Sequence, residues 1–231
     1  MPESYHGDIR ALVLFAGMAQ ESFEALMRAA YVQTFPPRID LIAEADPPDF
    51  LHVVLSGSVE LFATWNGRET SLATVEPVAT FILAATINDA PYLMSARTLE
   101  KSRIALLPSQ DVRSVFAADG AFARSIVTEL ARCYRGMVRN TKDLKLRTSL
   151  ERLANYLLRH DESSGSDGFD LKIEKRRLAS FLGMTPENLS RAFKALERHG
   201  VQVSGSRIVI GDPSGLARFA KPSPLIDKPG F

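Results

Sequence analysis

Residues 175–212 constrain the fold more than any other part of the chain, because they contain two short helical patterns separated by a turn. Apolar residues within 178–182 give the first pattern one buried face, and Gly183 interrupts it. Residues 185–187, Thr-Pro-Glu, then combine an N-cap, a proline at the first helical position and an early acid, which together mark a helix start. A second helix is therefore predicted directly after the turn.

The second predicted helix has one apolar and one polar side. Its apolar residues recur at i, i+3, i+4 and i+7, and they are Leu189, Ala192, Phe193 and Leu196. The opposite side carries Glu187, Ser190, Arg191, Lys194 and Arg198. Two helices joined by a short turn containing glycine are the helix-turn-helix arrangement, whose second helix enters the major groove of DNA. The alternative is an ordinary helical hairpin with a solvated charged face.

A short hairpin is predicted after this pair of helices. Residues 201–203 and 207–210 flank a Ser-Gly-Ser turn, a pattern typical of two antiparallel strands. Arg207 opens the second strand and is placed to contact a phosphate. The sequence thus predicts a winged helix-turn-helix.

Charge is distributed unevenly along the chain, although the net charge is only +1. Residues 1–110 hold 7 basic against 13 acidic side chains, whereas residues 131–160 hold 8 against 2 and residues 171–210 hold 8 against 3. A phosphate backbone attracts the basic segments and repels the acidic one. We therefore expect the second half of the chain to contact double-stranded DNA.

The sequence lacks the features of several classes of protein. The single cysteine, Cys133, excludes an internal disulfide and a multi-cysteine zinc or iron–sulfur site. The start resembles no signal peptide and no apolar run is long enough for a membrane span, so we expect a cytoplasmic protein without a membrane partner. No Gly-rich phosphate loop, nucleophile elbow or metal-spaced histidine pair occurs. The chain is therefore not expected to be an enzyme or to have catalytic or metal-binding residues.

The first half of the chain changes from helical to strand-like patterns. Two short helices are predicted within residues 9–30, followed by apolar runs between residues 33 and 107, one of them at 81–85. The runs are separated by turn residues, of which Asn66-Gly67 gives the strongest hairpin signal. Many short strands at close spacing predict a sandwich or jelly-roll barrel, and hence an α+β protein.

A helical region is predicted from about residue 109 to 160, and part of it shows a heptad pattern. Five apolar residues and one polar residue step by four and three along it, and they are Ile126, Leu130, Cys133, Met137, Asn140 and Leu144. Charged residues flank this seam, as expected for a helix that pairs with its twin in a homodimer. The alternative is a helix packed on its own barrel. Cys133 is interpreted as a small seam hydrophobe, and Asn140 as a residue that fixes the register.

The predicted elements suggest three parts. Residues 1–118 form a sensor barrel with N-terminal helices, residues 119–146 a dimerisation helix, and residues 147–231 the winged helix-turn-helix. Within the last part, residues 221–231 are proline-rich and poorly patterned, so we expect them to be loosely held.

In this order and at this length, the parts resemble the Crp/Fnr family of bacterial transcription regulators. Residues 50–61 resemble the barrel motif of the family, and residues 182–191, Leu-Gly-Met-Thr-Pro-Glu-Asn-Leu-Ser-Arg, resemble its recognition-helix motif closely. The resemblance implies a cyclic-nucleotide-binding-like jelly roll, a homodimer and a sequence-specific DNA-binding protein. It also implies RNA polymerase as a partner, and activation as the commoner outcome of binding.

The pattern of Glu187, Ser190 and Arg191 resembles that of the Fnr-type branch, which recognises TTGAT-like half-sites. The chemistry agrees, because a guanidinium can bond guanine O6 and N7, a carboxylate can accept from cytosine N4, and a hydroxyl can meet either kind of group. These three residues are the predicted base contacts. The predicted phosphate contacts are Lys175, Arg176, Thr185, Lys194 and Arg207.

The departures from the family pattern limit the effector. Members that bind cyclic AMP carry a Gly-Glu pair and a later Arg-Ser pair, whereas this chain has Phe-Ile-Leu-Ala at 81–84 and Met94-Ser95 at the matching positions. A buried phosphate would lack a charge partner, so we expect neither cyclic AMP nor, with one cysteine, an iron–sulfur cluster.

What remains resembles the cysteine-free branch of denitrification and nitric-oxide-responsive regulators, some of which are thought to use haem. Candidate haem ligands are His6, His52 and Met94, and Arg97 is a candidate anchor for an anionic effector. The alternatives are an organic effector, no ligand at all, or an effector-binding module without specific DNA binding.

Overall fold

The computed structural model describes residues 5–162, 168–171 and 173–228. They fall into two compact units that divide between Cys133 and Tyr134, within a long helix. Each unit is described separately below. No helix in these ranges is long and apolar enough to cross a membrane.

The N-terminal unit packs helices against paired sheets. Its helices are α1 (His6–Arg10), α2 (Val13–Ala16), α3 (Gln20–Ala29), α4 (Leu83–Asn88), α5 (Ser109–Ala118) and the first part of α6 (Gly120–Leu146). Its strands are β1 (Tyr31–Phe35), β2 (Asp40–Ile42), β3 (Phe50–Ser56), β4 (Val59–Trp65), β5 (Arg68–Val75), β6 (Ala79–Phe81), β7 (Ser95–Thr98) and β8 (Ser102–Pro108).

The strands form two antiparallel sheets with the orders β1-β8-β3-β6 and β2-β7-β4-β5. Along β3, Leu51 and Val53 pack against the helices, whereas Val54 packs between the two sheets, because side chains alternate across a strand. The predicted hairpin is confirmed: Asn66 and Gly67 both have positive φ and join β4 to β5. Trp65, at the end of β4, is 84% exposed.

The predicted strand at residues 81–85 is wrong. Strand β6 ends at Phe81, Ile82 adopts a left-handed conformation with φ of 60°, and α4 begins at Leu83. Leu83 is buried with the N-terminal helices, while Ile82 packs against the core between the sheets. A short apolar run is compatible with a strand or with a buried helix turn, and its periodicity cannot separate the two.

Helix α6 starts at a carboxylate that serves two helices. Asp119 Oδ1 accepts hydrogen bonds from the backbone N–H groups of Ala121 and Phe122, at 2.9 and 3.0 Å, and its Oδ2 accepts from the N–H of Ala19 at 2.8 Å. These bonds, of which the one to Phe122 is the largest cause, hold the pKa of Asp119 below its usual value. The charge therefore satisfies free N–H groups at the starts of α6 and α3.

The predicted seam requires correction at its first position. Ile126 is fully buried in the core of the N-terminal unit, and Leu130 packs against that core. The exposed residues of α6 that continue a heptad spacing lie one position further on, and they are Val127, Ala131, Tyr134 and Val138. We call these four residues the exposed stripe. Cys133, Met137, Asn140 and Leu144 are also exposed at heptad spacing, so their place in a dimer seam stays a prediction.

The C-terminal unit has a helical core with a three-stranded sheet. Its helices after α6 are α7 (Ser149–Glu162), α8 (Lys175–Phe181), α9 (Pro186–Leu196), α10 (Pro213–Ala220) and α11 (Pro224–Asp227). Its strands are β9 (Phe169–Asp170), β10 (Val201–Ser204) and β11 (Arg207–Ile210), in the order β10-β11-β9. The predicted helix-turn-helix and its wing are confirmed, and so is the α+β architecture.

The expectation that residues 221–231 are loosely held is wrong for 221–228, while 229–231 lie outside the described residues. Helix α11 falls in this segment, and the Asp227 side chain is 8% exposed. Its carboxylate accepts two hydrogen bonds from Arg147, at 2.7 and 2.8 Å, and one from Arg159 at 2.6 Å. The segment is therefore held in place by Arg147 and Arg159, which are distant in the sequence and could not be identified from the local pattern.

Candidate functional site

The turn between α8 and α9 sets the start of the second helix. Gly183 has a φ of 63°, a left-handed conformation that is available to glycine without a steric penalty. Thr185 is the N-cap of α9, and its Oγ1 accepts a hydrogen bond of 3.2 Å from the N–H of Asn188. Pro186 occupies the first turn, as the sequence predicted.

The polar side of α9 is exposed, and the three predicted base contacts lie on it. Arg191 donates a short hydrogen bond to Asn188 Oδ1, and Ser190 Oγ donates to the carbonyl of Pro186 at 3.0 Å. The pKa of Glu187 is lowered by a hydrogen bond from its own backbone N–H, by the Thr185 hydroxyl and by the charge of Arg191. Glu187 is thus a carboxylate acceptor on this side of α9.

Sequence reasoning missed Asn188. Its amide oxygen accepts a hydrogen bond from the Arg191 guanidinium, and the only available signal was the i, i+3 spacing of the pair. We call the exposed residues Glu187, Asn188, Ser190 and Arg191 the recognition face.

The predicted phosphate contacts have different surroundings. Lys175, Arg176 and Lys194 are exposed, and the Lys175 ammonium lies 5.9 Å from the centre of the Phe193 ring. The hydroxyl of Thr185 already caps α9. Arg207 lies 3.3 Å from Asp170 Oδ2 in β9, so its charge is shared with a carboxylate that the wing pattern did not reveal.

His52 faces the core between the two sheets of the N-terminal unit. It is 4% exposed, and its ring lies 4.9 Å from that of Phe81. Its Nδ1–H donates to the carbonyl of Phe50 at 3.1 Å. Burial lowers the pKa of His52 from 6.5 to about 4, and the hydrogen bond to Phe50 offsets this only in part. The imidazole is therefore neutral at pH 7.

The three alternative haem ligands lie in different surroundings. The His6 ring lies 6.0 Å from that of Phe23 in the core next to the helices, whereas His52 is on the opposite face of the sheet. These two side chains therefore cannot bind the same iron within one barrel. Met94 is half-buried just before β7, and the His52 ring is packed against Phe81. A haem bound through any one of these residues stays a prediction.

Arg97 is not a free anchor for an anion, which corrects the sequence interpretation. Its Nη2 lies 2.7 Å from Glu60 Oε2 and 2.5 Å from Glu69 Oε1. The hydrogen bond to Glu69 is the main reason that the pKa of Arg97 is raised. The guanidinium also lies 4.3 Å from the centre of the Phe62 ring. Two carboxylates therefore already compensate the positive charge.

The segment that matches the nucleotide-binding positions of the cyclic-AMP members is apolar. Phe81 is buried between the sheets, and Ile82 and Ala85 pack against the same core. Tyr92 is 4% exposed within this core, and burial is the main cause of the raised pKa of its phenol. Residues 81–85 therefore bring no charged side chain to this core.

Two family models match the chain. The cyclic nucleotide-binding domain matches residues 32–119, and the Crp-like helix-turn-helix domain matches residues 151–219. The first range covers the two sheets of the N-terminal unit from the second residue of β1 onward. The second range contains the recognition face and the wing.

Individual relatives match most of the chain at low identity. The chain is 25% identical over 215 residues to a CRP-like cAMP-activated global transcriptional regulator of Mycobacterium tuberculosis, covering 90% of this chain and 96% of that protein. It is 20% identical over 186 residues to the transcriptional activator protein FnrA of Stutzerimonas stutzeri, covering 78% and 76% of the two chains. The solved structure of FixK2 from Bradyrhizobium japonicum has a TM-score of 0.68 at 22% identity and covers 82% of this chain and 96% of FixK2.

Proposed function

Since the chain belongs to the Crp/Fnr family of transcription regulators, we propose that it acts as a homodimer that recognises TTGAT-like half-sites under the control of a small effector other than cyclic AMP. The recognition face carries this proposal. Its carboxylate, hydroxyl and guanidinium are exposed on the first two turns of α9, the part of a recognition helix that meets base edges.

The proposed pairing with DNA assigns one role to each side chain. Arg191 bonds guanine O6 and N7, Glu187 accepts from cytosine N4, and Ser190 hydrogen bonds to a neighbouring base. Asn188 holds Arg191 beforehand, which reduces the side-chain entropy lost on binding. Lys175, Arg176, Thr185, Lys194 and Arg207 contact phosphates without regard to sequence.

The dimer is proposed to form through the exposed stripe of α6. Val127 and Tyr134 are 60% and 71% exposed, and the four residues of the stripe step by four, three and four, which is a heptad spacing. Large apolar side chains in such a row favour burial against a second copy. A two-fold dimer presents two recognition faces to successive half-sites.

A binding titration tests the proposed specificity. We expect a TTGAT palindrome to bind at moderate salt more tightly than a scrambled duplex of the same length, by at least about a hundredfold. Equal binding of the two duplexes at every salt concentration would leave only a basic protein without specific DNA recognition, which is the competing function for this chain.

The effector is proposed to be apolar or aromatic. The M. tuberculosis relative is named for activation by cyclic AMP, but residues 81–85 here offer no charged side chain to a phosphate, and Arg97 is paired with two acids. A phosphate buried beside them would be left uncompensated at a cost of several kcal/mol. Haem is the competing effector, and it would need His6, His52 or Met94 as its ligand.

Two measurements separate these effectors. Cyclic AMP should leave the melting temperature of the full-length protein unchanged, whereas an apolar effector should raise it by mass action. A haem titration followed by absorption spectroscopy should give no saturable band. A one-per-subunit Soret band that shifts with nitric oxide and changes in a His52→Gln variant would replace this proposal with a gas sensor.

We further propose that the bound dimer activates transcription through contact with RNA polymerase, the commoner outcome in the family. Transcription in vitro from a promoter with an upstream TTGAT palindrome tests this directly. Reduced transcript on addition of the protein would identify a repressor.

A further inference from the structure

We infer that Arg152 is the positioning residue that holds the end of α6 at a fixed angle to the turn before α9, and so sets the half-site spacing that the dimer accepts. This inference rests on the proposed function. It concerns only residues of the C-terminal unit.

The Arg152 guanidinium joins two segments that are distant in the sequence. Its Nη1 donates to the carbonyl oxygens of Arg147 and Leu144, at 2.7 and 3.3 Å. On the other side, its Nε donates to the carbonyl of Leu182 at 2.8 Å, and its Nη2 lies 3.4 Å from that of Gly183. One planar group therefore bonds the end of α6 and the helix-turn-helix turn together.

These four carbonyls explain why a buried charge is tolerated. Arg152 is 8% exposed, and the described residues give it no ion pair. The carbonyls lie at the C-terminal ends of α6 and α8, where helices leave acceptors without partners and carry partial negative charge. A guanidinium offers five donors in a fixed plane, whereas a lysine ammonium on a flexible stem cannot hold both ends at once.

A second contact joins the end of α6 to the same turn. A β-carbon placed on Gly183 would come within 2.9 Å of Leu144 Cδ2, so the α6 side chain lies directly against the turn. Gly183 also has the positive φ that ends α8. The turn is thus held by hydrogen bonds from Arg152 and by packing from Leu144, and it leads within two residues to Thr185, the N-cap of the recognition helix.

The geometry has a consequence for DNA recognition. If the two α6 helices pair, a rigid link between each α6 end and its α9 fixes the distance and rotation between the two recognition faces. Moving the half-sites apart by two base pairs rotates one relative to the other by about 70°. A dimer with a rigid link can bind the altered site only by deforming the DNA, which lowers its affinity. A dimer with a loose link can instead reorient its recognition faces to match the half-sites.

The test compares Arg152→Lys with the wild-type full chain on palindromes whose half-sites are moved apart one base pair at a time. We expect the wild type to show a sharp optimum, with affinity falling roughly tenfold at two base pairs from it. In the variant this loss should shrink to less than about threefold, while affinity for a single half-site stays within about twofold. A residue that only supported folding would weaken all duplexes alike.

Matched variants complete the design. Arg159→Lys, on the same helix but bonded to Asp227, should keep the wild-type spacing profile. Leu144→Ala changes a 42% exposed side chain and should flatten the profile even if Arg152→Lys folds poorly. Circular dichroism checks the fold, and sedimentation checks that the variant remains dimeric.

The outcomes are distinct. An unchanged spacing optimum in folded, dimeric Arg152→Lys and Leu144→Ala overturns the inference and leaves the proposed function intact. A wild-type protein that binds palindromes and scrambled DNA equally overturns the proposed function, and this inference with it.

Discussion

Arg147 and Asp227 form a two-bond ion pair in which both side chains are less than one-tenth exposed. The carboxylate also accepts from Arg159 and from the backbone N–H of Ser223 at 2.7 Å. Desolvation would raise the pKa of Asp227, but the hydrogen bonds from Arg147 and Ser223 outweigh it and lower the pKa. The C-terminal segment is therefore anchored to the connection between α6 and α7.

Asp227→Asn should destabilise the C-terminal unit. It leaves the buried Arg147 without its main charge partner, although Asp143 still lies 2.9 Å away, so we expect the free energy of unfolding in urea to fall by about 3 kcal/mol. Glu174→Gln removes an exposed acid of the same unit and should cost less than about 0.5 kcal/mol. Equal losses in the free energy of unfolding for the two substitutions would show that the buried ion pair adds no more stability than an exposed acid does.

Arg191→Ala should reduce affinity for a TTGAT half-site by about 1–3 kcal/mol, because a two-bond contact to guanine is lost. On a half-site in which the G·C pair is replaced, Arg191→Ala should change the affinity only slightly, because the contacted guanine is already absent. Lys194→Ala is the control: it should weaken all duplexes alike and flatten the salt dependence by about one unit. Fluorescence anisotropy at several salt concentrations measures both, and a uniform loss in Arg191→Ala would contradict base recognition.

His52 should make the protein less stable in mild acid. Its pKa is near 4 in the folded state and 6.5 in the unfolded state, so the unfolded chain binds the proton first and stability falls as pH drops below 6.5. We expect a loss of roughly 2 kcal/mol between pH 8 and pH 5 from this residue.

His52→Gln should remove that part of the pH dependence. Because the substitution also changes packing, the informative quantity is the difference between pH 8 and pH 5 in urea unfolding, not the stability at one pH. Direct titration of the His52 ring by NMR provides a second readout, and a midpoint near 6.5 would show that the ring is hydrated.

Tyr134→Glu should dissociate the proposed dimer, because it places a charge in the exposed stripe. Sedimentation velocity should show a shift towards monomer, and affinity for a palindrome should fall roughly a hundredfold as the second half-site contact is lost. Arg132→Glu places a carboxylate on another side of α6, at an exposed position, and should leave the dimer intact. A wild-type protein that sediments as a monomer and binds the palindrome as tightly as Tyr134→Glu does would exclude this interface.

The winged helix-turn-helix was predictable because its signals are local. Thr185 and Pro186 mark a helix start, Gly183 a turn, and the apolar spacing a buried face, all within a few residues. Strand β9 was not predictable in the same way: Phe169–Asp170 is two residues long, too short for any periodicity. Its contact with Arg207 arises only when the chain folds back.

The candidate effector residues were harder to interpret for the same reason. The partners of Arg97 lie 37 and 28 residues away in the sequence, so a free cation and a paired one look identical before folding. Ile126 shows a related limit. A heptad spacing identifies a helix with an apolar side, but a shift of one residue rotates that side by about 100°, and only the packed core shows which side faces inward.

The exposed indole of Trp65 has a practical consequence. It is the single tryptophan of the chain, and it lies at the tip of the β4–β5 hairpin rather than in a core. Its emission should therefore be that of a water-exposed indole in the folded protein. Any molecule that covers the hairpin tip should shift the emission to shorter wavelength. The intrinsic fluorescence of the native chain therefore reports contacts at that tip without an added label.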